Sequence, residues 1–319
     1  MLEKVLSVLS PRNVARLVTS LKWLFAAGLI KNINSYLSNW AGNNYHFFSS
    51  TKGWVWEEEI AIVTGGSSGF GALFATDLSA KGIHVVVLDI NELPSNLQNN
   101  KKISFYKCNM TDPEAVKTVA QQVQSDIGHP SILINNAGIG TGKTILETTP
   151  QFLNKIFGVN LFSHYYAVQA FLPDMIKKRK GHVISIASMA SFISSAGIVD
   201  YSCTKVGALA FHEGLRSELR TVHKCPEIKT TVVHPIWADT PLIAEGKEHL
   251  IKAGQIIIQP QDVSDAVVKQ VMKGRSGQII LAPGIGTVLS SLRGYPTWIQ
   301  EAIVRSNETA PPVMGNPTS

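Results

Sequence analysis

Glu59-Ile60-Ala61-Ile62-Val63-Thr64-Gly65-Gly66-Ser67-Ser68-Gly69-Phe70-Gly71 reads as a buried strand, a glycine-rich turn and the start of a helix. Glycine admits positive φ and lets the backbone approach a ligand, while a helix beginning near Phe70 points free N–H groups at an anion. A pyrophosphate fits such a turn. A tight strand-to-helix turn without a ligand has the same composition, so the glycines by themselves leave both readings open.

The next strand narrows them. After a helix over 72–80 and the turn Lys81-Gly82 comes His84-Val85-Val86-Val87-Leu88-Asp89, an apolar strand that ends in a carboxylate. Asp89 stands about twenty residues beyond the glycines, where an acidic side chain accepts hydrogen bonds from the adenosine ribose and repels a 2′-phosphate. Neither Ser67 nor Ser68 is basic. The expected cofactor is therefore NAD rather than NADP. An Asp89 that merely caps a helix is the alternative.

Further along, Tyr201 and Lys205 are four residues apart, and Ser188 precedes the tyrosine by thirteen in Ser185-Ile186-Ala187-Ser188-Met189-Ala190-Ser191. Residues four apart share a helix face, so the Lys205 ammonium can favour ionisation of the Tyr201 phenol, whose ordinary pKa is about 10. Ser188 at a strand end can hold a substrate oxygen against that phenol. The trio suits proton transfer at an alcohol or carbonyl carbon. A tyrosine and lysine at this spacing also arise by chance on any solvated helix.

Taken together in this order, Thr64 to Gly71, Asn135-Asn136-Ala137-Gly138, Asn160, Ser188, Tyr201 and Lys205 resemble the short-chain dehydrogenase/reductase family over roughly residues 57 to 282. The resemblance implies an α/β fold: a Rossmann-type doubly wound parallel sheet in a single catalytic domain. It implies cofactor contacts from Gly65, Ser67, Ser68, Gly69, Phe70, Gly71, Asp89, Asn109, Met110, Asn136, Ala137 and Gly138, and from Tyr201 and Lys205, the lysine at the cofactor ribose. It also implies that Asn160, within a helix expected over 150–178, holds through its backbone carbonyl a water that links Lys205 to solvent. The segment His234-Pro235-Ile236-Trp237-Ala238-Asp239-Thr240 resembles the family's Pro-Gly-x-x-x-Thr, so Pro235, Ile236 and Thr240 are expected at the nicotinamide end.

Two departures from the family pattern stand out. Ile236 replaces a glycine, and because isoleucine does not adopt positive φ cheaply, the local backbone is expected to differ there. Asn109 replaces the usual aspartate, and its amide oxygen is expected to accept the adenine amino group instead.

Composition agrees with one catalytic domain plus ends. The chain has 319 residues, more than the roughly 250 such a core needs, and its helical and strand patterns alternate throughout. Cys108, Cys203 and Cys225 form no CxxC and no paired spacing, so neither a disulfide framework nor a metal site is expected. Asn109-Met110-Thr111 and Asn307-Glu308-Thr309 match the glycosylation sequon, and the first is expected to stay unused beside the adenine. The net charge of +6 is concentrated at one end, because Lys4, Arg12, Arg16, Lys22, Lys31 and Lys52 face only Glu3 in residues 1–52. A nucleic-acid footprint would place them on the folded domain.

Residues 1–52 read instead as a membrane-associating segment. Val14, Leu17, Val18, Leu21, Leu24 and Phe25 gather on one side of a helix, with Arg12, Arg16 and Lys22 on the other. The apolar run Trp23 to Ile30 is bounded by Lys22 and Lys31, and its eight residues are too few to span a bilayer. It is expected to lie among headgroups or to enter one leaflet as a hairpin, a tilted span with Lys22 snorkelling being the lesser alternative, unless the helix packs on its own domain or on a partner. No small-residue cleavage pattern follows, which argues against a secretory signal.

Ile139, Ile145, Met189, Ile193, Ile198, Trp237 and Ile243 fall in loops after strand ends, where this fold binds ligands, and favour an apolar substrate. An apolar extension over 283–305 is expected to cap the pocket or touch a membrane, and 306–319 to be disordered. The basic leader, Asp89 and Ala170-Phe171-Leu172-Pro173-Asp174-Met175 together resemble the retinol dehydrogenases and the hydroxysteroid dehydrogenases of endoplasmic reticulum and lipid droplets. That branch implies a lipophilic alcohol or ketone as substrate, a catalytic domain facing the cytosol and a homodimer paired through helices 150–178 and 201–222. An NADP-linked reductase of a fatty or sphingoid ketone, and a membrane scaffold with a dispensable site, are the competing functions.

Overall fold

Alternation along the central strands decides the layering. In strand β1 (Ile60–Thr64), Ala61 and Val63 pack on one side of the sheet while Ile62 packs on the other. Strand β2 (His84–Asp89) repeats this, with Val85 and Val87 on the first side and Val86 and Leu88 on the second. A strand that is apolar on both faces needs helices on both, which is why the sheet is parallel and covered twice.

The computed structural model describes residues 11–46, 51–140, 142–284 and 286–306. The tail expected to be disordered lies, from residue 307 on, outside the described residues. The remaining strands are β3 (Ile103–Lys107), β4 (Ile132–Asn135), β5 (His182–Ile186), β6 (Lys229–Pro235) and β7 (Gly277–Leu281). The seven form one sheet in the order β3-β2-β1-β4-β5-β6-β7, every neighbouring pair parallel. Strand order reverses between β1 and β4, and a crevice opens there at the carboxyl edge of the sheet.

Helix α1 (Pro11–Gly42) belongs to an N-terminal unit, 1–48, and is described by itself; the sheet belongs to the unit 49–319. One face of the sheet carries α2 (Gly69–Ala80) and the later helix Pro260–Met272; the other carries α3 (Pro113–Asp126), α5 (Ser163–Lys178) and α6 (Val199–Thr221). Between β4 and α5 the chain forms α4 (Pro150–Phe157) and then a π-helical turn, Gly158–Phe162, so the helix expected over 150–178 is one path with a wide turn inside it. At the opposite, amino edge of the sheet, buried Glu59 accepts from Ser131 Oγ and pairs with Lys180, whose ammonium lies 5.0 Å from the Trp54 ring.

Helix α1 corrects the picture of a short insertion. It runs unbroken for 32 residues, about 48 Å at 1.5 Å per residue, and by length and composition it is able to cross a membrane. No turn interrupts it, so a hairpin within these residues does not form. Trp23, Leu24, Phe25 and Ile30 are exposed along it.

Candidate active site

The glycine turn is built so tightly that side chains are excluded. Gly65 and Gly69 have φ of +65° and +52°, in the left-handed region. A Cβ on Gly65 would lie 2.8 Å from Ala137 Cα, and one on Gly71 only 2.1 Å from the carbonyl oxygen of Gly65. Gly71→Ala should therefore cost on the order of 3 kcal/mol, because the contact is backbone on backbone and no flexible side chain can yield. Thermal unfolding should show a midpoint lower by roughly 5–10 °C. An unchanged midpoint would mean that the turn relaxes freely.

Thr64 couples this turn to β4. Its hydroxyl accepts from the backbone N–H of Asn136 (3.0 Å) and of Ala137 (3.1 Å), and the Asn136 amide donates back to the carbonyls of Thr64 (3.0 Å) and Gly65 (2.9 Å). Asp89, buried at the end of β2, accepts from Ser67 N–H and Asn91 N–H, both at 2.9 Å, and Ser67 Oγ donates to the Asn91 carbonyl at 2.8 Å. The carboxylate is thus fixed at the rim of the crevice by two backbone amides.

Across the crevice, α6 carries Tyr201 and Lys205. Lys205 is buried, its Nζ donates to the Ile186 carbonyl at 2.8 Å, and it lies 5.5 Å from the centre of the Tyr201 ring. Burial lowers the Lys205 ammonium to about 8. Burial also pushes the Tyr201 phenol up to about 12, against the opposing pull of a hydrogen bond to Ser188. In the protein alone the phenol is therefore raised by desolvation, the reverse of the expected depression. Ser188 leaves β5 in extended conformation and opens the short turn Met189–Ser191, its hydroxyl accepting from Ala190 N–H at 3.1 Å.

Asn160 sits in the π-helical turn and is wholly buried. Its side chain bridges two elements: Oδ1 accepts from Ile139 N–H (2.8 Å), and Nδ2 donates to the Ile139 carbonyl (2.9 Å) and to Thr204 Oγ1 (3.1 Å). Thr204 in turn donates to the Tyr201 carbonyl at 2.7 Å. Asn160 therefore registers the loop after β4 against the turn of α6 that carries Tyr201 and Lys205.

Nearly all the expected site residues line one continuous cleft, from Asp89, Asn109 and Met110 at one end, past Gly65, Gly69, Phe70 and Ala137, to Ser188, Tyr201, Lys205, Pro235, Ile236 and Thr240. Ser68, Asn136 and Gly138 line it too. Ser67, Gly71 and Asn160 do not; they act on the backbone behind it. Beyond Tyr201 the walls are apolar. Ile198, Trp237, Ile243 and Leu250 form one wall, and Met189, Ile193 and Leu289 the other. Leu289 comes from the apolar extension after β7, which here closes part of the pocket. Ile145 is 69% exposed and lines nothing, because the loop after β4 turns it outward.

A model of the short chain dehydrogenase family matches residues 59–250, which include the turn, Asp89 and the Ser188, Tyr201 and Lys205 positions. The chain belongs to this family. Among its relatives, Dehydrogenase RED2 of Cochliobolus heterostrophus is 38% identical over 201 residues, covering 63% of this chain and 75% of that protein. Epidermal retinol dehydrogenase 2 of Homo sapiens is 34% identical over 223 residues, covering 67% and 71%. Retinol dehydrogenase 10-B of Danio rerio is 31% identical, and the match spans 62% of its length. Among solved structures, the aldohexose dehydrogenase of Thermoplasma acidophilum superposes with a TM-score of 0.61 at 24% identity, covering 72% of this chain and 94% of that one. The Rossmann-type fold and an oxidoreductase of this family, resembling its retinol dehydrogenase branch, follow.

For this short-chain dehydrogenase the expectation at Asn109 needs correction. The Asn109 oxygen accepts from Thr111 N–H (3.1 Å) and Thr111 Oγ1 (2.9 Å), which uses both of its lone pairs and leaves none for an adenine amino group. Ile236 has no positive φ among the described residues; its N–H donates to the Leu281 carbonyl at 3.0 Å, so the β6–β7 ladder runs one residue further before the chain turns. Thr64, Thr204, Asn91 and the Ile186 carbonyl are contributors that motif reading passed over. Thr64 stands immediately before the first glycine, which was the one available signal.

Proposed function

We propose that this short-chain dehydrogenase transfers hydride between NAD(H) and the carbinol carbon of a lipophilic alcohol, with Tyr201 as acid and base. The observation that carries the reading is the continuity of one cleft, from the amide-fixed carboxylate of Asp89 through Ser188, Tyr201 and Lys205 to an apolar end walled by Met189, Ile193, Trp237 and Leu250. The glycine turn, in which a Cβ would collide with backbone, fits a pyrophosphate. NAD⁺, when bound, supplies the hydride acceptor. Ser188 donates its hydroxyl proton as a hydrogen bond to the substrate oxygen and orients it. Tyr201 takes the alcohol proton, or gives it back in reduction. The Lys205 ammonium holds the developing phenolate by charge, and Asn160 keeps α6 in register with the loop after β4.

Asp89 supports NAD over NADP in two ways. Its charge repels a 2′-phosphate, and the Ser67 amide and hydroxyl that could have received one are already bound to Asp89 and Asn91. NADH should bind at least about tenfold more tightly than NADPH, a 1.4 kcal/mol difference. Asp89→Asn, which removes charge at constant shape, should narrow that ratio in a fluorescence titration. Tighter binding of NADPH by the natural protein would overturn the assignment.

Membrane attachment is part of the same reading. The exposed apolar residues of α1 and its basic flanks support residence of 1–52 at an endoplasmic reticulum or lipid-droplet surface, with the catalytic domain in the cytosol. Fractionation with and without residues 1–52 tests this. Exposed Phe162 and Tyr165 beside α5 support homodimerisation through α4, α5 and α6, which sedimentation of the catalytic unit tests. The substrate class is tested by incubating retinol, sterols and long-chain alcohols with NAD⁺ and following NADH absorbance. Turnover confined to short polar alcohols would refute it.

A further inference from the structure

His234 is the last residue of β6 before Pro235, and its side chain is inaccessible to solvent. Its Nδ1 lies 3.0 Å from the main-chain carbonyl oxygen of Ser188. A carbonyl can only accept, so Nδ1 carries the proton and the tautomer is fixed. The ring also packs against Phe192, centroids 4.6 Å apart, and Phe192 closes the short turn that Ser188 opens. One imidazole therefore touches both ends of the segment that presents the Ser188 hydroxyl.

The far end of this segment is tied elsewhere, Ser191 Oγ donating to the Lys205 carbonyl at 2.9 Å and Arg293 Nε to the Phe192 carbonyl at 3.2 Å, whereas Ser188 has few ties to the sheet. The ladder between β5 and β6 ends with Ala187 N–H donating to the Val233 carbonyl at 2.9 Å, one residue short of Ser188. The Ser188 carbonyl then accepts from Ser191 N–H within its own turn, at 3.0 Å, and the Ser188 hydroxyl reaches the Pro235 carbonyl only at 3.5 Å. The bond from His234 is thus the short link from the sheet to Ser188 itself. Because the carbonyl and Cβ share one Cα, fixing the carbonyl direction sets ψ and with it the direction of the Cα–Cβ bond from which the hydroxyl projects in one of its staggered rotamers.

We propose that His234 is a positioning residue for the reaction: by donating to the Ser188 carbonyl it keeps the Ser188 hydroxyl in register with Tyr201. The inference rests on the reaction proposed above, in which Ser188 orients the substrate oxygen. It has a further consequence for pH. Burial lowers the His234 imidazolium to about 4, the hydrogen bond to Ser188 opposing this and the Lys205 charge adding to it. The ring is neutral across the working range of the enzyme, so the link does not titrate there, and breaking it should change the height of a pH–rate profile but not its shape.

The test uses the full chain with retinol and NAD⁺, and compares His234→Leu, His234→Asn and His234→Gln with Ser188→Ala and the double variant Ser188→Ala/His234→Leu. The amide nitrogen of asparagine reaches the place of imidazole Nδ1, whereas that of glutamine reaches the place of Nε2. Leu and Gln should lower kcat roughly tenfold to a hundredfold, the scale of a misplaced catalytic group, with KM and NADH affinity unchanged. Asn should restore most of it. In the Ser188→Ala background His234→Leu should cost less than about twofold more, since a residue acting only through Ser188 has nothing left to position. Equal turnover in the Asn and Gln variants overturns the proposal, and that pair decides it even where the Leu variant does not fold. A full multiplicative loss in the double variant also overturns it, by giving His234 an independent structural role. Undiminished turnover by Ser188→Ala, or no oxidation of retinol, sterols or long-chain alcohols by the natural protein, would instead refute the reaction reading and remove the basis of the inference.

Discussion

Tyr201→Phe should lower alcohol oxidation by about a thousandfold, in the middle of the range for loss of a general acid or base. The substitution removes one oxygen from a ring that otherwise keeps its packing with Ile198, Trp237 and Leu250, so the melting temperature and NADH affinity should hardly move. The residual rate should also lose its dependence on pH. In the natural protein burial pushes the phenol up to about 12, and oxidation needs the phenolate. The oxidation rate should therefore climb as pH rises through the alkaline range, and reduction should be favoured as pH falls. A Tyr201→Phe protein with full turnover, or an identical pH profile, would assign the proton transfer to another group.

A second large effect concerns stability in acid. His164, His182 and His212 are buried and held down to about 3, and His234 to about 4, in each case chiefly by burial. His164 lies in the first turn of α5 and His182 opens β5, His212 donates to or accepts from Ser185 Oγ at 3.2 Å, and His182 meets Thr231 Oγ1 at 2.9 Å. The unfolded chain binds each of these protons near pH 6.5, while the folded chain does so only near 3 to 4. Their contribution is complete above pH 6.5 and is lost as pH falls below it, since unfolding then takes up about four protons. The slope approaches roughly 5 kcal/mol per pH unit, enough to exhaust a typical domain stability of about 5–15 kcal/mol within roughly three units. Thermal melts between neutral pH and about pH 4.5 should show a steep decline. His164→Leu should flatten it by about a quarter, because neither ring nitrogen of His164 has a hydrogen-bond partner among the described side chains. A melting temperature level over that range would show that the folded protein takes up these protons without penalty.

What could be read from the sequence was whatever is local. A strand, four glycines and a helix start lie within thirteen residues, and Asp89, Ser188, Tyr201 and Lys205 follow at fixed intervals along elements whose periodicity is plain. Contributions that depend on residues far apart in the chain were not legible. The π-helical turn at Gly158–Phe162 leaves helical periodicity intact, so nothing over 150–178 announced it. Thr64, Thr204 and His234 act through partners that only folding brings near. The Asn109 oxygen was spent on its neighbour Thr111, a choice between a local and a ligand bond that the residue type does not decide. The direction of the Tyr201 shift depended on how deeply the phenol is buried, and burial depth is a property of the packed domain. The continuity of α1 through Lys31 likewise follows from the backbone, since a lysine does not break a helix.

The carboxylate of Asp89, pinned by two amides, bears on metabolism as well as on affinity. Cells keep the NAD pool mostly oxidised and the NADP pool mostly reduced. On the proposed preference for NAD, a single side chain that admits one and turns away the other would tie the net direction of flux to the oxidised pool and make this catalyst, in the cell, a consumer of alcohols rather than a source of them.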